Sequence, residues 1–266
     1  MKKMMEIAGR RLAYLDEGQG PVLLLGHSYL WDSTMWAPQI QALKGQYRCI
    51  VPELWGHGDS DPVPEGPCNL ATLARDQLAL LDALGVDEFI LVGLSIGGMW
   101  GVELARLAPT RLKGLVLMDT FVGWEPQITC ERYLAMLAAI EQQGSLPPPI
   151  IDQVAPLFFA NQPEPALMAG FKARLANWPL DKVASLVALG RAFVTREDRM
   201  EWLEEIRVPS LVMTGCEDKA RPVLEGYLMA EALACPFIEV PAAGHIPTLE
   251  NPAFVTRKLT EFLASV

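Results

Sequence analysis

Glu88-Phe89-Ile90-Leu91-Val92 is a short, mostly apolar run, followed directly by Gly93-Leu94-Ser95-Ile96-Gly97-Gly98 and then by a helical pattern from Met99 to Leu107. Strand, G-x-S-x-G and helix in that order hold a serine on a strained turn with its hydroxyl exposed, as a nucleophile toward acyl carbon requires. Gly97, Gly98 and Gly101 supply the clearance that lets strand and helix approach each other. The competing assignment for Ser95 is an ordinary helix N-cap.

A serine hydroxyl needs a positioned base, and the chain has three histidines, His27, His57 and His245. Where this turn is used, the acid and then the histidine follow the serine in sequence, and only His245 lies beyond Ser95. It sits in Ala242-Ala243-Gly244-His245-Ile246-Pro247, just past the strand-like run Phe237 to Val240. That is a loop at the carboxyl end of the sheet, where sites in such folds gather. The alternative for His245 is a loop residue capping the helix that begins near Asn251-Pro252. The acid belongs between Ser95 and His245, where it fixes the imidazole tautomer. Asp218, after the strand Ser210 to Met213, is the preferred choice. Glu217, Asp119 and Asp198 compete for the role, and Asp218 could instead cap the helix after Pro222.

The elements that must carry these groups are legible as short branched runs at Val22 to Leu25, Tyr47 to Val51, Phe89 to Val92, Leu115 to Met118, Ser210 to Met213 and Phe237 to Val240. Runs this short without polar alternation predict strands covered on both faces, and the helical patterns between them predict a mostly parallel sheet. Leu73, Leu80, Leu81 and Leu84 place one such helix over 71–84, with Gly85 as its stop. Ile7 to Leu12 predicts an antiparallel hairpin at the sheet edge, for about eight strands in all. Alternation stops between Gly123 and Glu205. That stretch contains no convincing strand and is punctuated by Pro147-Pro148-Pro149, Pro163, Pro165 and Pro179. Several short helices are expected there. Their apolar residues, among them Phe158, Phe159, Met168, Phe171, Trp178 and Phe193, require something to sit on.

The matched segments, taken together and in order, resemble the α/β-hydrolase superfamily over nearly the whole chain. They are His27-Ser28-Tyr29, Trp55-Gly56-His57-Gly58-Asp59-Ser60, the turn around Ser95, Gly215-x-x-Asp218-x-x-x-Pro222, and Gly244-His245 with Glu250-Asn251-Pro252. The resemblance implies an α/β-hydrolase fold, in which a mostly parallel eight-stranded sheet is flanked by helices. Residues 1–122 and 206–266 would form the core and residues 123–205 an inserted helical cap, or lid. It implies an oxyanion hole made by the backbone N–H of Ile96 and that of Tyr29, with Ser28 as the alternative to the latter. It further implies a cofactor-independent serine hydrolase acting on a carboxylic ester or lactone, similar to arylesterases, enol-lactonases and cofactor-free haloperoxidases. Ser95 would be the nucleophile, His245 the base and Asp218 the acid. Carbon–carbon bond hydrolysis and perhydrolysis use the same triad, and a non-catalytic binding module is the remaining alternative. Dehalogenases and epoxide hydrolases carry Asp at the position of Ser95. This chain departs from the pattern at Ser28, where relatives usually have Gly, and at Glu53 and Trp55, where they often have Asp and Arg.

Composition narrows the partners. Twenty-two Lys and Arg against 32 Asp and Glu give a formal charge of −10, which repels a duplex or an anionic bilayer at long range. A small molecule is the expected partner, with neither nucleic acid nor membrane. Five scattered cysteines fit neither a disulfide framework nor a zinc site, and the first residues lack a secretory apolar stretch, so a reducing cytoplasm is expected. His57-x-Asp59-x-Asp61, flanked by Gly56, Gly58 and Pro62, predicts a turn rather than a metal site. Cys216 is expected to be a packed thiol, and Trp124 to form part of the pocket wall.

Overall fold

The computed structural model describes all of residues 1–266. Strands β1 (Lys3–Ile7) and β2 (Arg10–Glu17) form the edge hairpin, followed by β3 (Val22–Gly26), α1 (Ala37–Leu43), β4 (Arg48–Pro52), α2 (Leu70–Ala83), β5 (Phe89–Leu94), α3 (Ile96–Leu107) and β6 (Leu112–Met118). Five helices come next: α4 (Gln127–Gln143), α5 (Pro148–Val154), α6 (Pro165–Ala176), α7 (Val183–Val194) and α8 (Met200–Leu203). The chain then completes the sheet with β7 (Ser210–Gly215), α9 (Val223–Leu233), β8 (Phe237–Val240), α10 (Pro247–Glu250) and α11 (Pro252–Leu263). No helix is long and apolar enough to cross a membrane.

The eight strands run in the order β1-β2-β4-β3-β5-β6-β7-β8. The β1–β2 and β2–β4 pairings are antiparallel, and every later pairing is parallel. Ala8 and Gly9 join the hairpin with φ of 48° and 73°, the twist-compatible two-residue turn. Every residue of β5 and β7 is buried, which explains why these strands show no polar alternation in sequence. Helix α1 packs with α11 and α2 with α3 against the sheet. Strand order reverses at β3, so the loop after β3 and the turn after β5 flank a switch point, where α/β sheets form their binding crevices.

Three glycines make that crevice possible. A Cβ on Gly26 would lie 2.7 Å from Trp100 Cζ2, one on Gly93 would lie 2.5 Å from the Gly97 carbonyl oxygen, and one on Gly97 would overlap the Gly26 carbonyl. Two sealed histidines brace the loops beside it. His27 Nε2 accepts from Leu54 N at 2.9 Å and its Nδ1 donates to the Ser28 carbonyl at 2.8 Å. His57 Nε2 accepts from Leu30 N at 3.2 Å and its Nδ1 donates to the Trp55 carbonyl at 3.0 Å. Burial, reinforced by the neighbouring His27, pushes His57 down to about 3. The His57–Asp61 stretch is a turn, with Asp61 paired to Arg11 at 3.0 Å.

The helices between β6 and β7 rest on the core through Trp31, which stacks on Phe171 with ring centroids 4.8 Å apart, and through polar fasteners, of which three lie near the loops named above. Tyr29 Oη donates to the Leu186 carbonyl at 2.7 Å, Lys182 Nζ to the Gly58 carbonyl at 2.8 Å, and Asn161 N to Glu217 Oε2 at 2.8 Å.

Gly97→Ala should lower the melting temperature, since overpacking against backbone that cannot yield costs about 1–3 kcal/mol. Gly170→Ala, in α6 with open space at its Cβ, should leave it unchanged or raise it; calorimetry on both variants checks this. A second expectation concerns pH. A neutral buried His57 contributes stability that is present above its ordinary value of 6.5 and is lost as pH falls toward about 3. Denaturant midpoints should therefore decline on acidification through that window, and His57→Gln should flatten the decline.

Candidate active site

Ser95 occupies the turn between β5 and α3 with φ 57° and ψ −124°, a conformation that costs a non-glycine residue free energy. Its side chain makes no capping hydrogen bond to the helix it precedes, which removes the N-cap assignment. Neighbouring chain holds the strain in place. Ser95 N donates to the Met118 carbonyl at 2.9 Å, and Thr120 Oγ1 donates to the Ser95 carbonyl at 2.7 Å. Thr120, at the end of β6, escaped the sequence reading because nothing in its local pattern marks it as a brace for a turn 25 residues away.

His245 and Asp218 meet at the end of the sheet, with Nδ1 of the imidazole 2.8 Å from Asp218 Oδ2 and both side chains buried. Asp218 Oδ1 accepts from Ala220 N at 2.8 Å and Arg221 N at 3.0 Å, so the carboxylate is fixed by the turn that follows β7. The competing acids are placed elsewhere or otherwise engaged. Glu217 fastens Asn161, Asp198 caps the Met200 amide, and Asp119 accepts from Gly215 N at 2.7 Å. With Nδ1 bound to Asp218, Nε2 is the atom of His245 left for a hydroxyl. Ser95 and His245 line one cavity together with Tyr29 and Leu30.

Ile96 opens α3, so its N–H belongs to the first helical turn, whose amides have no intrahelical acceptor. In the loop after β3, Ser28 N donates to Met35 Sδ at 3.3 Å and Leu30 N to His57 Nε2 at 3.2 Å, which leaves the Tyr29 amide between them. Glu53 braces this loop and the next. Its Oε1 accepts from Ser33 Oγ at 2.6 Å and its Oε2 from Asp59 N at 2.7 Å, while Trp55 Nε1 donates to Asp76 Oδ2 at 2.8 Å. The two departures at residues 53 and 55 are thus absorbed in loop packing.

Of the 21 residues lining the cavity, 18 are hydrophobic, contributed chiefly by α4, α5 and α7. Only Ser95, His245 and Arg221 are not. Arg221 was not anticipated. It donates to Glu125 Oε2 at 2.7 Å, and the same oxygen accepts from Arg196 at 2.8 Å. Glu225 lies 3.4 Å from Arg221 on the other side. The acidic partners offset burial and keep the Arg221 guanidinium charged.

Trp124 is a correction. It is 60% exposed and takes no part in the cavity wall. Its neighbour Glu125 turns inward to the two arginines, which leaves the indole facing solvent. Cys216 is likewise exposed rather than packed.

Comparison with known proteins agrees with this architecture. Residues 21–135 match the family model described as alpha/beta hydrolase fold. The chain is 27% identical to 3-oxoadipate enol-lactonase 1 of Acinetobacter baylyi over 255 residues, covering 92% of this chain and 90% of that protein. It is 32% identical to a haloalkane dehalogenase of Sphingobium indicum over 237 residues, covering 79% and 77%. A thermophilic esterase from Thermogutta terrifontis superposes with a TM-score of 0.90 at 28% identity, covering 100% of this chain and 98% of that one. With the sheet order, the turn at Ser95 and these likenesses in agreement, the chain belongs to the alpha/beta hydrolase fold family and is a hydrolase.

Proposed function

We propose that the protein is a serine hydrolase that opens a carboxylic ester or lactone carrying an uncharged, apolar acyl group of small to medium size. The observation that carries this reading is the 2.8 Å bond from His245 to Asp218 at the wall of the cavity that also holds the strained Ser95. Asp218 holds the His245 tautomer with Nε2 as acceptor. Ser95 Oγ attacks the carbonyl carbon while its proton passes to Nε2, and the amides of Ile96 and Tyr29 receive the oxyanion. Collapse of the tetrahedral intermediate expels the alkoxide, which takes the proton from His245. Water then gives a proton to His245 and hydroxide to the acyl carbon, releasing the acid and restoring Ser95. No cofactor enters these steps.

The likeness to a dehalogenase does not carry its chemistry here. Displacement of halide by a serine would leave an ether, which a histidine-activated water does not open, whereas acyl transfer to serine leaves a hydrolysable ester. Residues 123–205 serve, in this reading, as a cap subdomain over a core of residues 1–122 and 206–266. Their apolar inner faces exclude water from the reacting carbonyl. The enol-lactonase relatives are named for a dicarboxylate product, but the one cation in this cavity is already engaged by Glu125, which it shares with Arg196, and by Glu225. A second carboxylate on the substrate would enter an apolar chamber without a free partner.

Ser95→Ala should reduce turnover of an aryl ester to near background while leaving the melting temperature unchanged; loss of both together would mark the serine as structural. Asp218→Asn should reduce kcat by up to ~10⁴-fold, the effect of presenting the wrong tautomer. In a panel of neutral aryl esters of graded acyl length, neutral lactones and aryl monoesters of dicarboxylic acids, the neutral compounds should give the higher kcat/KM. Preference for the carboxylate-bearing members would overturn the substrate reading.

A further inference from the structure

Asp119 is a buried carboxyl that the steps above leave without a task. It closes β6 at 0% exposure, with φ 44°, a region that costs most side chains free energy. Its Oδ1 accepts from Gly215 N at 2.7 Å, and its Oδ2 is buried without a hydrogen-bond partner. One atom each from the Asp119 carboxyl, the Asp218 carboxyl and the His245 ring lie within 4.8 Å of one another. The Asp218 oxygens already accept from Ala220 N, Arg221 N and His245 Nδ1.

An ionised carboxylate can only accept hydrogen bonds. Beside a second carboxylate, away from water, the Oδ2 of an ionised Asp119 would have nothing to accept from and a like charge to face. One proton removes both penalties, because an O–H on Asp119 becomes a donor to the neighbouring carboxylate. Burial and then the charge of Asp218 push Asp119 well above the ordinary carboxyl range, and Glu250, the other charged group acting on it, pushes the same way.

We propose that Asp119 is a positioning residue: it keeps a proton on Oδ2 and donates it in a hydrogen bond to Asp218, so that the acid beneath His245 is a carboxylic acid–carboxylate pair with a single negative charge. The added donor holds the Asp218 carboxylate in the plane that His245 Nδ1 needs.

This inference rests on the assignment of Ser95, His245 and Asp218 as the reacting set. The test compares wild type, Asp119→Asn, Asp119→Leu and Asp218→Asn on a neutral aryl ester, with Ser95→Ala as the blank, alongside infrared spectra in H₂O and D₂O at neutral pH. In Asp119→Asn the amide oxygen must face the Gly215 N–H, because the reverse orientation sets donor against donor, so the NH₂ replaces the missing O–H. Its kcat should stay within about fivefold of wild type. Asp119→Leu should lose roughly 10–100-fold in kcat with KM little changed, the scale of one hydrogen bond to a charged group. The wild-type spectrum should carry a deuterium-sensitive carbonyl band of a protonated carboxyl that Asp119→Asn lacks. An Asp119→Asn variant as impaired as Asp218→Asn, or a spectrum in which no such band disappears, would overturn the proposal. Should Asp119→Leu fail to fold, Asp119→Asn and the infrared comparison still decide. Absence of Ser95-dependent turnover in wild type would defeat the functional reading instead, with the infrared band still reporting on Asp119.

Discussion

The site depends on keeping one residue, Ser95, in a backbone conformation that the chain would not adopt alone. A left-handed turn at the end of a fully buried strand survives only where the surroundings over-determine it. Here the surroundings are mostly backbone: Gly26, Gly93 and Gly97 bring β3, β5 and α3 closer than any Cβ allows, and the Thr120 hydroxyl ties the Ser95 carbonyl to the segment that follows β6. The same close approach sets the first turn of α3 beside the end of β3, from which the loop of Tyr29 departs. The strain at Ser95 and the packing of strand on helix are two results of one geometric constraint.

A second layer keeps the loops around that turn from drifting. His27 and His57 use both ring nitrogens on backbone partners, and Glu53 spans two loops with its two oxygens. These groups are sealed from solvent, and each is satisfied. They resemble reactive residues in type but differ from His245 in one respect: none has an open atom facing the cavity.

The sheet, the turn at Ser95 and the meeting of Asp218 with His245 were legible in the sequence because each is dictated by local chemistry. Buried parallel strands must be apolar throughout, a strained turn must be flanked by glycine, and a chain with three histidines offers few bases. Trp124 was misread for a different reason. The direction of one aromatic in an extended link is decided by its neighbour's partners, and those are the distant Arg196 and Arg221. Cys216 carries no periodic pattern that could show its exposure. Arg221 sits three residues after Asp218, yet its presence in the cavity follows only from how α4 and α7 close over that loop. Asp119 was visible as a possible acid, but adjacency to Asp218 is a property of strand order.

Glu125 binds one arginine near the exit of the helical insertion and another on the loop that bears Asp218. Residue 125 itself lies at the insertion's entrance, so a single carboxylate stitches both hinges of the roof to the floor beneath it. Moving these helices as one body would strand buried charges and pull on the loop that carries Asp218. Room in the cavity is therefore gained most cheaply by shortening Ile150, Ile151 or Val154 on α5, which lies outside the stitch.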